Sequence, residues 1–285
     1  NARTAQAAAR GARLLPMVKA EGYWLGAVPV VRALKPLDPW GFGIATIEEG
    51  AALRQAGIRR PIVVFTPARV DSLPRFRDHD LRAVLDEAAA VAAWDRPFHV
   101  EIDTGMGRAG IRWDDQEVGT LRSPHLEGVF THLHSAAASP ESVEQQWTRF
   151  RAALDRLPTR PRLVHAANSA GAWRLQQALD LVRPGIFLYG GRMADDLPEP
   201  RPVATLRARV VSLRAIPAGE SVSYGAEWRA ARNTMVATLG IGYADGVRRS
   251  VQNRAQVLLC GRRCPVIGRV TMDMIVVDVG PAGGG

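Results

Sequence analysis

The feature that most constrains the fold is an alternation of short apolar runs with amphipathic stretches up to about residue 199. Helical patterns lie between several of these runs. Strands that alternate with helices form parallel sheets, so eight such runs predict an α/β fold, with an N-terminal (β/α)8 TIM-like barrel over residues 1–199. The eight predicted strands cover residues 14–19, 42–46, 61–66, 81–85, 98–103, 126–133, 162–168 and 185–190.

The pattern changes after residue 199. A proline-rich junction, LPEPRPV, leads into apolar runs that are separated by Gly and Pro turns and show no helical periodicity. This pattern predicts a second, mostly antiparallel C-terminal β-domain over residues 200–285. Because the chain begins with Asn and ends in GPAGGG, we expect it to be trimmed at both ends, with the β-domain incomplete at its end.

Composition and charge exclude several classes of protein. No apolar run approaches the roughly 18 residues of a membrane span, so we expect no membrane association. The net charge is +9, but the arginines are scattered and do not alternate with aromatic residues, so we expect no nucleic-acid partner. Cys260 and Cys264 match neither a redox pair nor a zinc pattern, which favours reduced thiols in a cytoplasmic protein.

Lysine is almost absent from this chain. Of 37 basic residues only Lys19 and Lys35 are lysines, and Lys19 ends the first predicted strand. Arginine stays protonated, whereas a desolvated lysine can lose its proton and act as a base or form a Schiff base. Two interpretations stay open at this point: amine chemistry at Lys19, or a chance remainder in an arginine-rich composition.

Polar residues follow the predicted strands where a barrel carries its functional groups. They include a lysine, an arginine, histidines and a possible phosphate site at the last two loops, where barrels commonly bind phosphate. The set comprises Lys19, residues 103–108, His132, His134, Asn168, Ser169, Arg183, Gly185 and Ile186.

Two local patterns suggest other functions. GMGRAG matches the dinucleotide fingerprint G-x-G-x-x-G, but no apolar helix follows the glycines, so we expect no dinucleotide site. His132 and His134 share one face of a strand and, with His165, could bind a metal as in a barrel hydrolase. For His134 alone, a hydrogen-bonded side chain near a loop is the other interpretation, and we predict no metal.

Eight short motifs occur in the order found in the alanine racemases. They are MVKAEGYWLG, EIDTGMGRAG, THLH, HAANSAG, VRPGIFLYGG, VSYGAEW, GIGYADGVRR and GRVTMDM. Each motif is weakly specific alone, but eight in order resemble this family closely and cover nearly the whole chain. The resemblance implies a pyridoxal 5'-phosphate (PLP) enzyme of fold type III that interconverts L- and D-alanine. It would supply D-alanine for peptidoglycan in the cytoplasm.

The resemblance assigns the two proton-transfer groups to different chains of a homodimer. Lys19 would hold PLP and act as one base. Tyr224 would reach the opposite face of the substrate Cα from the partner subunit, so the active sites would be shared. Racemisation removes a proton from one face and returns one to the other, and two opposed bases do this without turning the substrate over.

The resemblance also implies contacts to the cofactor ring, its phosphate and the substrate. Arg183 would bond the pyridine nitrogen, and Arg108 would bond the PLP phenolic oxygen and the substrate carboxylate. The resemblance places Tyr23, Ser169, Gly185 and Ile186 at the phosphate, His132 between Arg183 and Tyr224, and Tyr243 and Met272 beside the substrate. His165 and Asn168 would hold these cofactor-binding residues in place.

The chain departs from the family pattern at two places. Trp24 and Leu25 stand where the family has a small residue and a histidine after the phosphate tyrosine. Glu101 stands where many members carry a carbamylated lysine. We expect its carboxylate to replace the carbamate and to orient Arg108; the other interpretation is a glutamate that faces solvent.

Two alternative functions stay open beside alanine racemisation. One is a racemase for another or a broader range of amino acids, because pocket size decides substrate range. The other is a PLP-binding protein without racemase turnover, as in single-domain barrel relatives. The predicted β-domain that carries Tyr224 argues against this second alternative.

Overall fold

The computed structural model describes residues 1–281. The chain divides into two compact units, Asn1–Ala204 and Thr205–Gly285. The first unit carries parallel strands and helices, and the second carries antiparallel strands.

Parallel strands form the centre of the first unit. The strands are β1 Arg13–Leu14, β2 Phe42–Ile44, β3 Ile62–Val64, β4 Ala83–Val84, β5 Phe98–Asp103, β6 Ile111–Arg112, β7 Leu126–Phe130, β8 Leu163–His165 and β9 Leu181–Val182. β1 pairs with β9, β2 with β3, and β4, β5, β7 and β8 follow one another in a sheet. Isolated parallel bridges, Met17 to Gly43 and Val63 to Arg82, join these groups, and hydrogen bonds beside β8 and β9 complete the ring. Leaving out the short β6, which pairs only with β5, eight parallel strands confirm the predicted barrel.

Helices lie between the strands. Thr46 and Glu49 cap the helix Ile47–Gln55 reciprocally, and Ser139 caps the long helix that begins with Pro140. That long helix buries Val143, Gln146, Phe150 and Ala153. The α-helices are Ala2–Ala8, Ala27–Leu34, Ile47–Gln55, Leu73–Asp78, Ala88–Ala93, Pro140–Arg156 and Gly171–Arg174; short 3-10 helices are Lys35–Leu37, Val70–Ser72, Gln116–Thr120 and Ile186–Tyr189.

The prediction of a strand over residues 185–190 is wrong. The last barrel strand is β9, and residues Ile186–Tyr189 form a 3-10 helix. Pro184 has no amide hydrogen for a ladder, and Ser169 Oγ accepts the amides of Gly185 and Phe187. Because β9 ends before Arg183, the polar loop over residues 183–186 lies at the carboxyl end of the barrel.

The described part of the second unit, residues 205–281, is built from antiparallel strands. The strands are β10 Val210–Ile216, β11 Ser221–Val222, β12 Trp228–Arg229, β13 Thr234–Leu239, β14 Gln256–Leu259, β15 Arg262–Ile267 and β16 Ile275–Pro281; 3-10 turns cover Tyr224–Ala226, Tyr243–Asp245 and Arg249–Val251. Five of them form a sheet in the order β10-β13-β16-β15-β14, and β11 and β12 form a separate hairpin. This confirms the predicted β-rich fold. Within residues 1–281, no helix has the length and apolar character needed to cross a membrane.

Candidate active site

A cavity of about 370 Å³ opens at the carboxyl end of the barrel. Most of the polar residues that the sequence predicted at this end line it together. They are Lys19, Tyr23, Arg108, His132, His134, Asn168, Ser169, Arg183, Gly185 and Ile186. Three larger cavities, of about 400, 480 and 510 Å³, lie elsewhere in the first unit, and no lysine, histidine or tyrosine is among the described residues that line them. The chemistry of the lining, rather than size, therefore identifies the candidate site.

Lys19 is followed by a left-handed turn. Ala20 and Glu21 have φ values of 50° and 51°, and Gly22 has 60°. Such backbone costs about 1 kcal/mol or more for each residue with a Cβ. Glu49, which the sequence analysis did not select, offsets part of this cost by accepting the Ala20 amide at 2.6 Å. The sequence T-x-x-E is typical of a helix cap, but it does not indicate that Glu49 supports the backbone beside Lys19.

Tyr23 lies at the end of this turn and packs against a second tyrosine. Its ring stacks on Tyr189 at a centroid distance of 4.2 Å, and Tyr189 donates its hydroxyl to Met17 O at 2.8 Å. A Cβ at Gly185 would lie 2.5 Å from the Tyr23 hydroxyl oxygen, so any larger residue there would require the tyrosine to move. Burial raises the pKa of Tyr23, which keeps the hydroxyl a donor.

Ser169 and Asn168 organise the loops beside this tyrosine. Ser169 Oγ accepts the amides of Gly185 at 2.8 Å and Phe187 at 3.3 Å, which leaves its own hydroxyl hydrogen free to donate. Asn168 donates to Leu133 O and accepts the Gly171 amide, so it ties two loops together.

Arg183 is the most deeply buried charged side chain of the cavity wall, with 3% of its surface exposed. One terminal nitrogen lies 2.7 Å from His165 Nδ1, and the other donates to Thr131 O at 2.8 Å and Ala166 O at 3.2 Å. None of these acceptors is a carboxylate, and burial lowers the pKa of Arg183 to about 10. A buried cation with only neutral partners is costly, and Nε takes part in none of these bonds.

The three histidines considered for a metal site each contact other side chains of the protein. His132 Nδ1 lies 3.4 Å from Arg183, and burial and the nearby cations lower the pKa of His132 to about 3. His134 contacts Ser135 Oγ at 2.6 Å, and His165 uses both ring nitrogens in contacts with Arg183 and His99. Among residues 1–281, no cluster of three or more His, Cys, Asp or Glu could hold a metal.

Glu101 is buried beside Arg108, with 2% of its surface exposed, so the solvent-facing interpretation is wrong. Its Oε1 lies 4.0 Å from an Arg108 terminal nitrogen. Burial raises the pKa of Glu101 to about 7, although the charges of Arg108 and Arg183 oppose the shift. A Cβ at Gly110 would lie 2.9 Å from Glu101 Cγ, so glycine at 110 allows this close packing.

The candidate residues of the second unit are exposed. Tyr224 lies in a 3-10 turn with 71% of its surface exposed, and Tyr243 and Met272 are exposed as well. Ser223, just before Tyr224, has a φ of 68° and ψ of −177°, and its hydroxyl donates to Arg269 O at 2.8 Å. Such a conformation is rare outside glycine, so this bond holds the Tyr224 turn in a strained shape.

Comparison with known families decides what this arrangement is. The alanine racemase N-terminal domain family matches residues 1–193, and the alanine racemase C-terminal domain family matches residues 203–284. The chain belongs to the alanine racemase family. Membership makes it an amino-acid racemase whose cofactor is PLP.

Individual relatives agree with the family match. The alanine racemases of Deinococcus radiodurans and Desulfovibrio desulfuricans are 40% and 37% identical, each over 94% of this chain and over 79% and 78% of their own lengths. The crystal structure of alanine racemase from E. faecalis is 30% identical with a TM-score of 0.88, covering 99% of this chain and 83% of that one. The enzyme from Bartonella henselae, described with covalently bound pyridoxal phosphate, is 28% identical with a TM-score of 0.84, covering 99% and 85%.

The alanine racemase site of this chain fits PLP. Lys19 offers an amine to which the aldehyde of PLP can attach. Nε of Arg183, which takes part in none of the hydrogen bonds described above, offers a donor to the pyridine nitrogen of PLP when that nitrogen is unprotonated. At Gly185 a side chain would collide with the Tyr23 hydroxyl, so backbone and hydroxyl form a cradle of the kind that holds phosphate.

Proposed function

We propose that this chain interconverts L- and D-alanine with bound PLP, using Lys19 and Tyr224 as bases on opposite faces of the substrate Cα. The observation that carries the proposal is the buried Arg183 in the wall of the cavity that contains Lys19; among residues 1–281 its hydrogen-bond acceptors are all neutral. Bound PLP supplies the electron sink that stabilises negative charge at Cα.

Arg183 suits racemisation better than a carboxylate would at the same place. An arginine donates a hydrogen bond but does not give up its proton, so the ring nitrogen that it contacts stays largely unprotonated. We expect this to limit charge delocalisation into the ring and to disfavour transamination. The neutral partners of Arg183 hold its guanidinium in place without lowering its charge.

The two bases start from different chemistry. Lys19 acts as an amine once it is released from the cofactor. A tyrosine hydroxyl ordinarily holds its proton at neutral pH, so Tyr224 would need cationic neighbours to serve as a base. We propose that His132 transmits the charge of Arg183 to the partner's Tyr224, because His132 Nδ1 lies 3.4 Å from the guanidinium.

The remaining residues are proposed to bind and orient. Arg108 would hold the substrate carboxylate and the PLP phenolic oxygen, with Glu101 orienting its guanidinium. Tyr243 and Met272 of the partner chain would limit the space beside the substrate. The phosphate would contact Tyr23, Ser169, Gly185 and Ile186, with Asn168 and His165 in support.

The proposal includes a homodimer with shared active sites in the cytoplasm, where the product D-alanine would supply peptidoglycan synthesis. The exposure of Tyr224, Tyr243 and Met272 within their own unit supports this arrangement, since exposed side chains are free to enter a partner's site. We also propose that residues 1–199 bind PLP and that residues 200–285 contribute the second base. The free cysteines Cys260 and Cys264 agree with a reducing compartment.

A subunit-mixing experiment tests the shared site. Lys19→Ala and Tyr224→Phe chains, each inactive alone, are mixed under conditions of subunit exchange and assayed for D-alanine. One of the two sites in each mixed dimer would receive both intact bases, so about a quarter of all sites should become active.

The matched control mixes Lys19→Ala with Arg108→Ala. Both residues belong to the barrel unit, so neither site of that mixed dimer is intact and no activity above the starting variants should return. Proven exchange without recovery in the first mixture would contradict the shared site.

Glu101 is expected to set an acid limit on activity. Its pKa of about 7 means that the carboxyl is neutral at lower pH and no longer attracts Arg108. We expect kcat/KM for alanine to fall about fivefold to tenfold as the pH drops below about 7, and this fall is the acid limb of the pH profile. Glu101→Gln should show the low value at every pH and lack this limb.

Asp86→Asn is the control for Glu101. The negative charge of Asp86 helps to raise the pKa of Glu101, so its removal should move the limb to lower pH without abolishing it. An unchanged acid limb in Glu101→Gln would contradict the role of Glu101.

A further inference from the structure

A continuous chain of polar side chains runs from Arg183 through the interior of the barrel. His165 Nε2 lies 2.9 Å from His99 Nδ1, and His99 Nε2 lies 3.6 Å from Glu127 Oε2. These residues belong to different strands: His165 ends β8, His99 lies in β5, and Glu127 lies in β7. Glu127 also accepts from Arg82 Nε at 3.4 Å.

The direction of each hydrogen bond follows from the chemistry of Arg183. An arginine has only donors, so His165 Nδ1 must accept and His165 Nε2 must carry the hydrogen. His165 Nε2 then donates to His99 Nδ1, which places the second hydrogen of the chain on His99 Nε2. Both hydrogens therefore point away from the cofactor site and towards Glu127.

Glu127 is the nearest acceptor for the last of these hydrogens. His99 is fully buried, and its Nε2 has no hydrogen-bond partner within ordinary distance among the described residues. An unpaired buried N–H costs about 1–3 kcal/mol, and a shift of a few tenths of an ångström would bring Oε2 within range. Burial opposes ionisation of Glu127, but His99 and Arg82 more than offset it and lower its pKa, so the carboxylate is an anion.

The surrounding residues hold this chain in place. A Cβ at Gly128 would lie 2.6 Å from the His99 ring, so glycine next to Glu127 makes room for the imidazole. Phe130 stacks on His165 at 4.9 Å with an interplanar angle of 11°. Burial lowers the pKa of both histidines, so neither ring competes with Arg183 as a cation.

We propose that His99 and Glu127 are positioning residues that hold His165 in the tautomer accepting from Arg183, and so fix the guanidinium against the cofactor ring. Without the Glu127 carboxylate, two arrangements compete. In one, the His99 Nε2 hydrogen is unpaired. In the other, both tautomers reverse, and His165 Nδ1–H points at the Arg183 donors. The carboxylate removes this competition by favouring the first arrangement.

The role of His99 and Glu127 in PLP binding rests on the proposed function, whereas the tautomers of His99 and His165 can be measured independently of it. We therefore test the tautomers by ¹⁵N NMR of histidine-labelled protein without cofactor. The wild-type chain should show His165 and His99 as single Nε2–H tautomers. Glu127→Gln, whose amide can donate as well as accept, should show mixed tautomers at both residues. Glu144→Gln, on the exposed side of the long helix, controls for loss of a glutamate charge.

PLP binding and kinetics then test the consequence for Arg183. Glu127→Gln should bind PLP about tenfold more weakly and lose about tenfold in kcat, with KM for alanine changed about twofold or less, because Arg183 does not hold the substrate. If Glu127→Gln fails to fold, His99→Gln serves for the same spectra at His165. A single Nε2–H tautomer in Glu127→Gln with unchanged PLP affinity, or a reversed tautomer in the wild type, would overturn the proposal. If the wild-type chain fails to racemise alanine, the proposed function fails, but the cofactor-free spectra still test whether Glu127 sets the tautomers of His99 and His165.

Discussion

Alanine racemisation should fall by about 10⁴-fold or more in Lys19→Ala, because one side chain provides both the cofactor attachment and one of the bases, and a general base alone contributes about 10²–10⁴. The fold should survive, because Lys19 lies at the cavity wall and the left-handed turn after it is held by Glu49 through the Ala20 amide. Activity, circular dichroism and thermal unfolding measured on one preparation separate these effects.

Lys35→Ala is the matched control, since Lys35 is the other lysine of the chain and lies in the 3-10 helix Lys35–Leu37. Borohydride reduction of the PLP-loaded protein followed by peptide mass analysis should place the label on Lys19 alone. A label on Lys35, or full activity in Lys19→Ala, would show that Lys19 does not hold the cofactor.

Tyr224→Phe should lose about 10³-fold in racemisation and still bind PLP. The hydroxyl is expected to serve one face of Cα only, so the variant should still exchange the α-proton of one alanine enantiomer with solvent. The measurement combines proton exchange of each enantiomer with chiral analysis of the product. This outcome also separates a racemase from a PLP-binding protein without turnover.

Tyr243→Phe is the control for Tyr224→Phe. Both tyrosines are exposed in 3-10 turns of the second unit, but Tyr243 is assigned only to the substrate side, so its loss should cost about tenfold or less. Equal losses in the two variants, or racemisation that survives in Tyr224→Phe, would remove Tyr224 from the role of second base.

The barrel could be predicted from sequence because its strands and helices follow one another with regular periodicity. The last strand could not, since residues 185–190 are apolar and bounded by glycines like a strand. What decides their shape is distant in sequence: Ser169 binds the amides of Gly185 and Phe187, and Pro184 interrupts the ladder. The true strand, β9, has only two residues and gives little periodic signal.

The candidate site, like the fold, could be predicted from the sequence only in part. Lys19 and Arg183 could be selected because each follows a strand and belongs to a motif. Glu49 and His99 could not, because their roles depend on contacts with residues 29 and 66 positions away. The burial of Glu101 depends likewise on the approach of Gly110, which only the folded chain brings against it.

The most direct test of racemisation by two opposed bases is the fate of the α-proton of L-alanine in D₂O. The wild-type chain with added PLP is followed by NMR while the chirality of alanine is measured. We predict that the α-proton signal disappears as D-alanine appears, with deuterium at Cα of the product. No exchange in a chain that carries PLP on Lys19, or exchange of L-alanine that never yields D-alanine, would contradict the proposed function.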